Sequence, residues 1–397
     1  MRAITRLGAV SLFTVAAVTA IEPSQASDPV KGAGKDTLVY IGTHTSEKGK
    51  GIYLFRLQSA GSEVFQNVTL VPLGLAVETP NPTHFELDPP HRRLFTVNQI
   101  DQFEGKPTGA VSAYAINAAG SLTLLNQRSS LGIRPCDLVI GKDGRHLIVA
   151  NCANGSIAVF PVADDGMLAA ASQMIDVAQP DAAGATDRAP CVALDPANRF
   201  VFVCDPSSAR IRSYMFDTER GQLTPTGQIA TALKPGPTPR QIRFRHDARF
   251  AYLLNEQSTV TVFAYDSTTG NLTEVQTVST LPEYFDGANV SGELYIHRSG
   301  KWLYASNIGH NSIALFTIDA ERGTLTFVEE QGTGGKTPRQ FGIEPSSKHL
   351  AISNRDSHTV LASRIDEGNG RLKPSGIFAD VPSPAAIRFL PPPEAGQ

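Results

Sequence analysis

The stretch AYLLNEQSTVTVF (251–263) decides how the chain folds. Val260 and Val262 alternate with Thr259 and Thr261, the period of two expected of a half-buried strand. An apolar run precedes them and stops at Asn255-Glu256, so one strand ends in a polar corner and a second leaves it. The pattern recurs in LFTVNQIDQ (94–102), LIVANCANGSIAVF (147–160), VFVCDPSSARIRSY (201–214), LYASNIGHNSIALF (303–316) and LAISNRDSHTVLA (350–362). The corner residues Asn98, Asn151, Asp205, Asn255, Asn307 and Asn354 are 53, 54, 50, 52 and 47 positions apart. A seventh member, LVYIGTHT (38–45), lies upstream with GIYLFRL (51–57) as its second strand.

Other signals keep the same period. Pro82, Pro135, Pro239 and Pro338 each stand 16 residues before an Asn corner. Between proline and corner lie a strand, a turn and another strand. Beyond the third strand come a turn and a fourth, as in TTGNLTEV (268–275), ERGTLTFV (321–328) and GNGRLKP (368–374). Four antiparallel strands per repeat of roughly 50 residues predict an all-β, seven-bladed β-propeller, because one such sheet cannot bury both of its faces alone. The terminal VPSPAAIRFL (381–390) reads as a first strand with no successor, and the first repeat begins at its second strand (37–43). The C-terminal strand is therefore expected to close blade one as its innermost strand. The propeller is expected over 36–391, after a signal peptide (1–26) and a linker (27–35) and before a tail (392–397).

MRAITRLGAVSLFTVAAVTA has a basic start, an apolar run and, further on, small residues before Ser27, the pattern of an export signal. The mature protein is expected to be periplasmic or secreted and monomeric. No later run approaches the ~18 apolar residues of a spanning helix. Thirty-five basic residues against 38 acidic ones give a net charge of −3, without a basic run, so nucleic acid is not an expected partner. The four cysteines form no C-x-x-C, and the histidines form no ligand cluster, so no metal or cofactor is expected. Cys136 and Cys191 hold similar places in successive repeats, as do Cys152 and Cys204. They are expected as buried thiols near the axis, with a cross-blade disulfide as the alternative.

In a propeller, residues just after each proline and residues at each Asn corner share one mouth of the central channel. That places Arg240, of TPRQ (238–241), beside Glu256. A carboxylate there suits a general base for water, and a guanidinium suits a developing oxyanion. The bland readings are an exposed turn glutamate and an arginine bonded to turn carbonyls. TPRQ recurs at 337–340, bringing Arg339 beside Asn354-Arg355, and His310 follows Asn307 by three residues. No G-x-S-x-G elbow or Walker loop occurs.

These segments resemble the seven-bladed propeller lactonase family, which includes the propeller-type 6-phosphogluconolactonases and carboxy-cis,cis-muconate cyclase. The resemblance rests on VYIGTHT, PCDLVIGKDGRHLIVAN, PTPRQIRF with FAYLLNEQSTVTVF, LYASNIGHNSIALF and GGKTPRQFGIEPS. It implies a site of a histidine, two arginines and a glutamate at the channel mouth. The family's G-P-R-H arginine falls on Arg240 and its N-E glutamate on Glu256. Ile308 replaces the second arginine. The H-P-H-x-V segment reads Arg188-Ala189-Pro190-Cys191-Val192, while Gln241 and Asp137 replace two further histidines. The resemblance implies a lactonase opening a sugar or related lactone, with Glu256 and Arg240 catalytic, and the signal-like start makes it an exported one. Asn255, Asn307, His310, Arg188, Gln241, Arg339, Arg355 and Asp137 would bind the lactone or carbohydrate-derived ligand. The alternative is a non-catalytic propeller that binds a ligand or protein partner at the same mouth.

Overall fold

A computed structural model describes residues 37–45, 48–60, 67–177, 191–206, 208–232 and 238–392. Seven four-stranded antiparallel sheets form a seven-bladed propeller, and the one helical element among the described residues is the short turn Arg355–Ser357. The innermost strands are His84–Asp88, Pro135–Ile140, Val192–Leu194, Pro239–Phe244, Val290–Ile296, Pro338–Ile343 and, for blade one, Pro384–Leu390. The expected closure is present. Pro384–Leu390 lies antiparallel to Thr37–Thr43, with Ile41 opposite Ile387 and Gly42 opposite Ala386. The expected signal segment (1–26) and linker up to Asp36 lie outside the described residues.

The 16-residue spacing is the register of the inner hairpin. Pro135 pairs with Asn151, Pro239 with Asn255 and Pro338 with Asn354. Proline is tolerated because it opens a strand at the sheet's inner edge, where its missing N–H breaks no ladder bond. The Asn recurs because its side chain ties down the crossover arriving from the preceding blade. Its Nδ2 donates to the carbonyl of Pro80 from Asn98 (2.7 Å), of Ser130 from Asn151 (3.1 Å), of Thr280 from Asn307 (2.8 Å) and of Thr333 from Asn354 (3.1 Å). All of these asparagines are fully buried.

The core is a ring of interblade layers, not one centre. Tyr252, Leu254 and Val262 of blade five pack on Leu303, Ala305 and Phe316 of blade six, and equivalent sets fill the other interfaces. Tyrosines rivet neighbours: Tyr40 donates to Gly120 O (2.7 Å), Tyr252 to Gly323 O (3.0 Å) and Tyr304 to Gly370 O (2.6 Å). Gly323 has φ +70, and a Cβ there would lie 2.3 Å from the Phe250 ring, so the turn demands glycine on both counts.

The cysteines correct the sequence expectation. They are neither free thiols nor joined across blades: Cys136 bonds Cys152 within blade three, and Cys191 bonds Cys204 within blade four. The hairpin register explains both. Cys136 and Cys152 each follow one member of the Pro135–Asn151 pair, with Cα atoms 5.9 Å apart. Cys191 precedes Val192, which faces Val203, so it meets Cys204 at 5.0 Å. Cys152 thus lies one residue beyond its corner and Cys204 one before it.

Two outcomes follow. Ile387 and Leu390 are buried, and hydrophobic transfer gives about 3–6 kcal/mol for the two, a large part of a domain's net stability. A chain ending at Ser383 should lose its cooperative melt by calorimetry. Glu344 gives a pH dependence. Burial raises its pKa, but hydrogen bonds from His349, Ser346 and backbone N–H groups prevail and hold it at about 2. A depressed folded pKa means stability present above about pH 4.5 and lost as pH falls toward about 2. Urea titrations across that window should show the loss in the wild type and a shallower one in Glu344→Gln.

Candidate active site at one mouth of the channel

A cavity of about 270 Å³ opens where the inner strands begin. The ladder explains how so many polar side chains reach it. In blades three, five and seven the register skips the residue after the proline: Cys136, Arg240 and Arg339 sit in bulges. A bulge turns two successive side chains toward one side, and here both members of Cys136-Asp137, Arg240-Gln241 and Arg339-Gln340 line the cavity. Blade six does likewise without proline: Ser291 faces Asn307, the register shifts before Leu294, and Gly292-Glu293 line the wall. Residues just after the corners form a second tier, with Gln99, Cys152 and Glu256.

Arg240 uses one nitrogen structurally, Nε donating to Gly292 O at 2.8 Å. Its terminal nitrogens have no hydrogen-bond partner among the described residues. Burial lowers its pKa, while the carboxylates of Glu256, Glu293 and Asp137 act against that shift. No ion pair joins Arg240 to Glu256 among the described residues, although both border the cavity. Arg339 has no hydrogen bond or ion pair among the described residues. Burial, then the charges of Arg240 and Arg355, push its pKa down to about 10, with Glu293 opposing. At neutral pH it remains cationic, and two guanidiniums therefore share one cavity at an electrostatic cost that an anionic group would relieve.

Beneath them lies a hydrogen-bonded polar layer, in which the buried Gln340 Oε1 has no partner among the described residues. Gln241 donates to Glu293 Oε1 (2.8 Å) and accepts from Leu294 N (2.7 Å), while Arg243 pairs with the same Oε1 at 3.2 Å. Asp137 Oδ2 accepts from Val192 N (2.9 Å), and Oδ1 lies 3.2 Å from His84 Nε2. Burial raises the Asp137 pKa, against the pull of His84 and Arg243. Gln340 Nε2 is 3.0 Å from His84 Nδ1.

Of the residues singled out in the sequence, Glu256, Arg240, Gln241, Arg339 and Asp137 come together in the cavity. Asn255, Asn307, His310 and Arg355 do not line it. Asn255 bonds Thr259 and Thr261 within its own blade, and Asn307 bonds Thr280 and Ser312. His310 is held by Ser312 Oγ (2.7 Å) and the edge of Phe285. Arg355 turns to Asp356 at 2.8 Å and reaches the cavity only through its charge on Arg339. These corner side chains build the mouth and do not face into it. Arg188 lies outside the described residues. Sequence reasoning missed His84, Glu293, Gln340, Gln99 and Thr83. All but Glu293 were signalled by the offsets that marked Arg240 and Glu256, one or two past the proline and one past the corner.

A model of the family described as "Lactonase, 7-bladed beta-propeller" matches residues 38–389. The chain belongs to the seven-bladed β-propeller lactonase family. As a lactonase it is a lactone-hydrolysing enzyme. The 6-phosphogluconolactonase of Bacillus subtilis (strain 168) is 29% identical over 358 residues, 88% of this chain and 97% of that one. A putative 6-phosphogluconolactonase from Bacteroides fragilis has a crystal structure similar at TM-score 0.79, with 30% identity over 91% of this lactonase and 99% of its own chain. The periplasmic gluconolactonase of Pseudomonas aeruginosa superposes at TM-score 0.81, with 28% identity over 90% of this chain and 100% of its own. Among the described residues no group of three or more His, Cys, Asp or Glu side chains is placed to hold a metal, and no helix is long and apolar enough to cross a membrane.

Gln241→Leu strands the Leu294 N–H and removes a donor from the buried Glu293 carboxylate. It should cost about 2–3 kcal/mol, read as a lower urea midpoint at unchanged slope.

Proposed function

We propose that this lactonase opens the ring of a sugar-derived lactone carrying an anionic substituent, in the cavity between Arg240, Glu256 and Arg339. The observation that carries the reading is the cavity's unpaired charge. Three carboxylates and three guanidiniums border it; Arg134 is paired with Asp101, Glu293 with Arg243 and Asp137 with His84, while Arg240, Arg339 and Glu256 have no ion pair among the described residues.

In the proposed cycle Glu256 takes a proton from water as its oxygen adds to the lactone carbonyl carbon. The carbonyl electron pair moves onto oxygen, where the free end of the Arg240 guanidinium receives it. Collapse of the tetrahedral intermediate breaks the bond between acyl carbon and ring oxygen. Glu256 returns its proton to that oxygen, and a hydroxy acid leaves. Arg339 holds the substrate's anionic group from blade seven, supplying a guanidinium where the family pattern's second arginine is Ile308. The Gly292 carbonyl holds Arg240, and Gln241, Glu293, His84 and Asp137 hold the channel floor in place.

The protein is proposed to act as an exported, periplasmic or secreted monomer. The signal-like start, two disulfides of the sort that persist in oxidising compartments, and the likeness to a periplasmic gluconolactonase support this. Its ring closes on its own C-terminal strand and needs no partner strand.

The test is a pH-stat assay of purified protein against gluconolactones with and without a 6-phosphate. Glu256→Gln should lower kcat about 10²–10⁴-fold, and Arg240→Ala about 10²–10³-fold. Arg339→Ala should raise KM for the anionic lactone and leave the neutral one nearly unchanged. Turnover at background, or turnover indifferent to Glu256→Gln, would end the proposal. A partner-binding propeller would give that result.

A further inference from the structure

The channel has a second mouth, where the inner strands end, and it holds a larger cavity of about 400 Å³. Arg243, Tyr295, Ile343, Arg388 and Phe389 border it from four blades, and Arg298 stands on the turn beyond Tyr295. The carboxylates there are already engaged. Glu86 pairs with Arg388 at 2.8 Å and Glu293 with Arg243 at 3.2 Å. Glu344 accepts from the N–H groups of Ser346, Lys348 and His349 in its own turn. Arg298 has no ion-pair or hydrogen-bond partner among the described residues, so its guanidinium is left open to a ligand.

The Tyr295 hydroxyl makes the same point independently. Its ring is half-buried, packed near Phe341 at 6.4 Å, and its O–H has no hydrogen-bond partner among the described residues. Burial raises its pKa, the charges of Arg388, Arg243 and Arg298 act against that shift, and Glu86 adds to it. A free phenolic donor amid guanidiniums wants an anion. The remaining walls, Ile343, Ile387 and Phe389, want an apolar body.

We propose that this far mouth is a second ligand site, which takes a small carboxylate with an apolar or aromatic body. The carboxylate accepts from the Tyr295 hydroxyl and from Arg298, and the body lies against Ile343 and Phe389. The site is separate from the catalytic mouth. Glu293 borders both cavities, and its bonds to Gln241 and Arg243 stand between them.

Calorimetric titration of the full chain with phenylacetate, and separately with inorganic phosphate, tests this. Phenylacetate should bind saturably, at least about tenfold tighter than phosphate. Tyr295→Phe with Arg298→Ala should weaken it by about tenfold or more, a loss worth 1.4 kcal/mol per factor of ten. The exposed Arg298→Glu should do the same without disturbing the fold, which the melting temperature checks. Arg240→Ala should leave phenylacetate binding unchanged. No saturable binding, binding that survives Arg298→Glu, equal affinity for phosphate, or loss in Arg240→Ala would each overturn the proposal. None of these outcomes bears on lactone turnover, which the Glu256 and Arg240 variants report.

Discussion

Everything at the candidate active mouth hangs on one pairing, the inner-strand proline opposite the corner asparagine. In blades three and seven the proline opens an edge strand, and the asparagine side chain captures the crossover that delivers the strand; in blade five Asn255 faces Pro239 and bonds Thr259 and Thr261 instead. With both ends fixed, the following residue is forced into a bulge, and two neighbouring side chains face the axis together. Four crossovers enter through a residue of positive φ, Asn81, Arg134, Thr337 and Ser383. For the β-branched Thr337, at φ 59, this is costly geometry. Its recurrence in four blades marks it as part of the repeat's construction and not a feature of one active site.

The repeat makes a ring of equivalent positions, and chemistry arises where the ring is unequal. After the proline stand Thr83, Cys136, Cys191, Arg240, Arg339 and, in blade one, Ala385. Blades three and four put disulfides there, which tie the inner hairpin of each of those two blades. Blades five and seven put guanidiniums there, and Glu256 adds a carboxylate one position past its corner. Deeper, the polar groups satisfy one another through Gln241, Glu293 and Arg243. At the rim they do not. That gradient, closed below and open above, is what preorganised electrostatics needs: fixed donors facing a space that a substrate fills.

The periodicity made the fold legible. A spacing of 16 between proline and asparagine gave the hairpin register, and a strand without a successor gave the closure. Arg240, Gln241, Arg339, Asp137 and Glu256 were legible because they share offsets within that period. Asn255, Asn307 and His310 were drawn toward the substrate because sequence shows a polar residue at the mouth but not its direction. Asparagine at a corner is consumed by the fold, through backbone carbonyls or, for Asn255, through Thr259 and Thr261, and in blades two, three and five it is the residue after it that faces the channel. Glu293 was hidden because blade six opens with Ser291 and no proline, so the offset had nothing to count from. The disulfides were hidden for a different reason: pairing is a distance, and only the register turns spacings of 16 and 13 into facing cysteines.

The exchange between Ile308 and Arg339 carries the argument furthest. The family pattern that the sequence resembles has an arginine one position past the sixth corner, and this chain has isoleucine, paired across the hairpin with the half-exposed Val290. Such a loss leaves one sector of the rim apolar. Yet Arg339 enters from blade seven, through a bulge like the one that carries Arg240, and lies close enough for the two charges to lower its pKa. A guanidinium is thereby kept at the mouth while its bearing on the substrate rotates by one blade. Under the proposed reading the oxyanion meets Arg240 beside Glu256, so that part of the geometry is fixed by the reaction. The anionic substituent is not so constrained, and a ring of equivalent positions lets its anchor move to a neighbouring blade without disturbing the strands that hold the rest. Under the proposed reading, then, chemistry and specificity sit on different blades, with the lactone carbonyl referred to blade five and the substituent to blade seven.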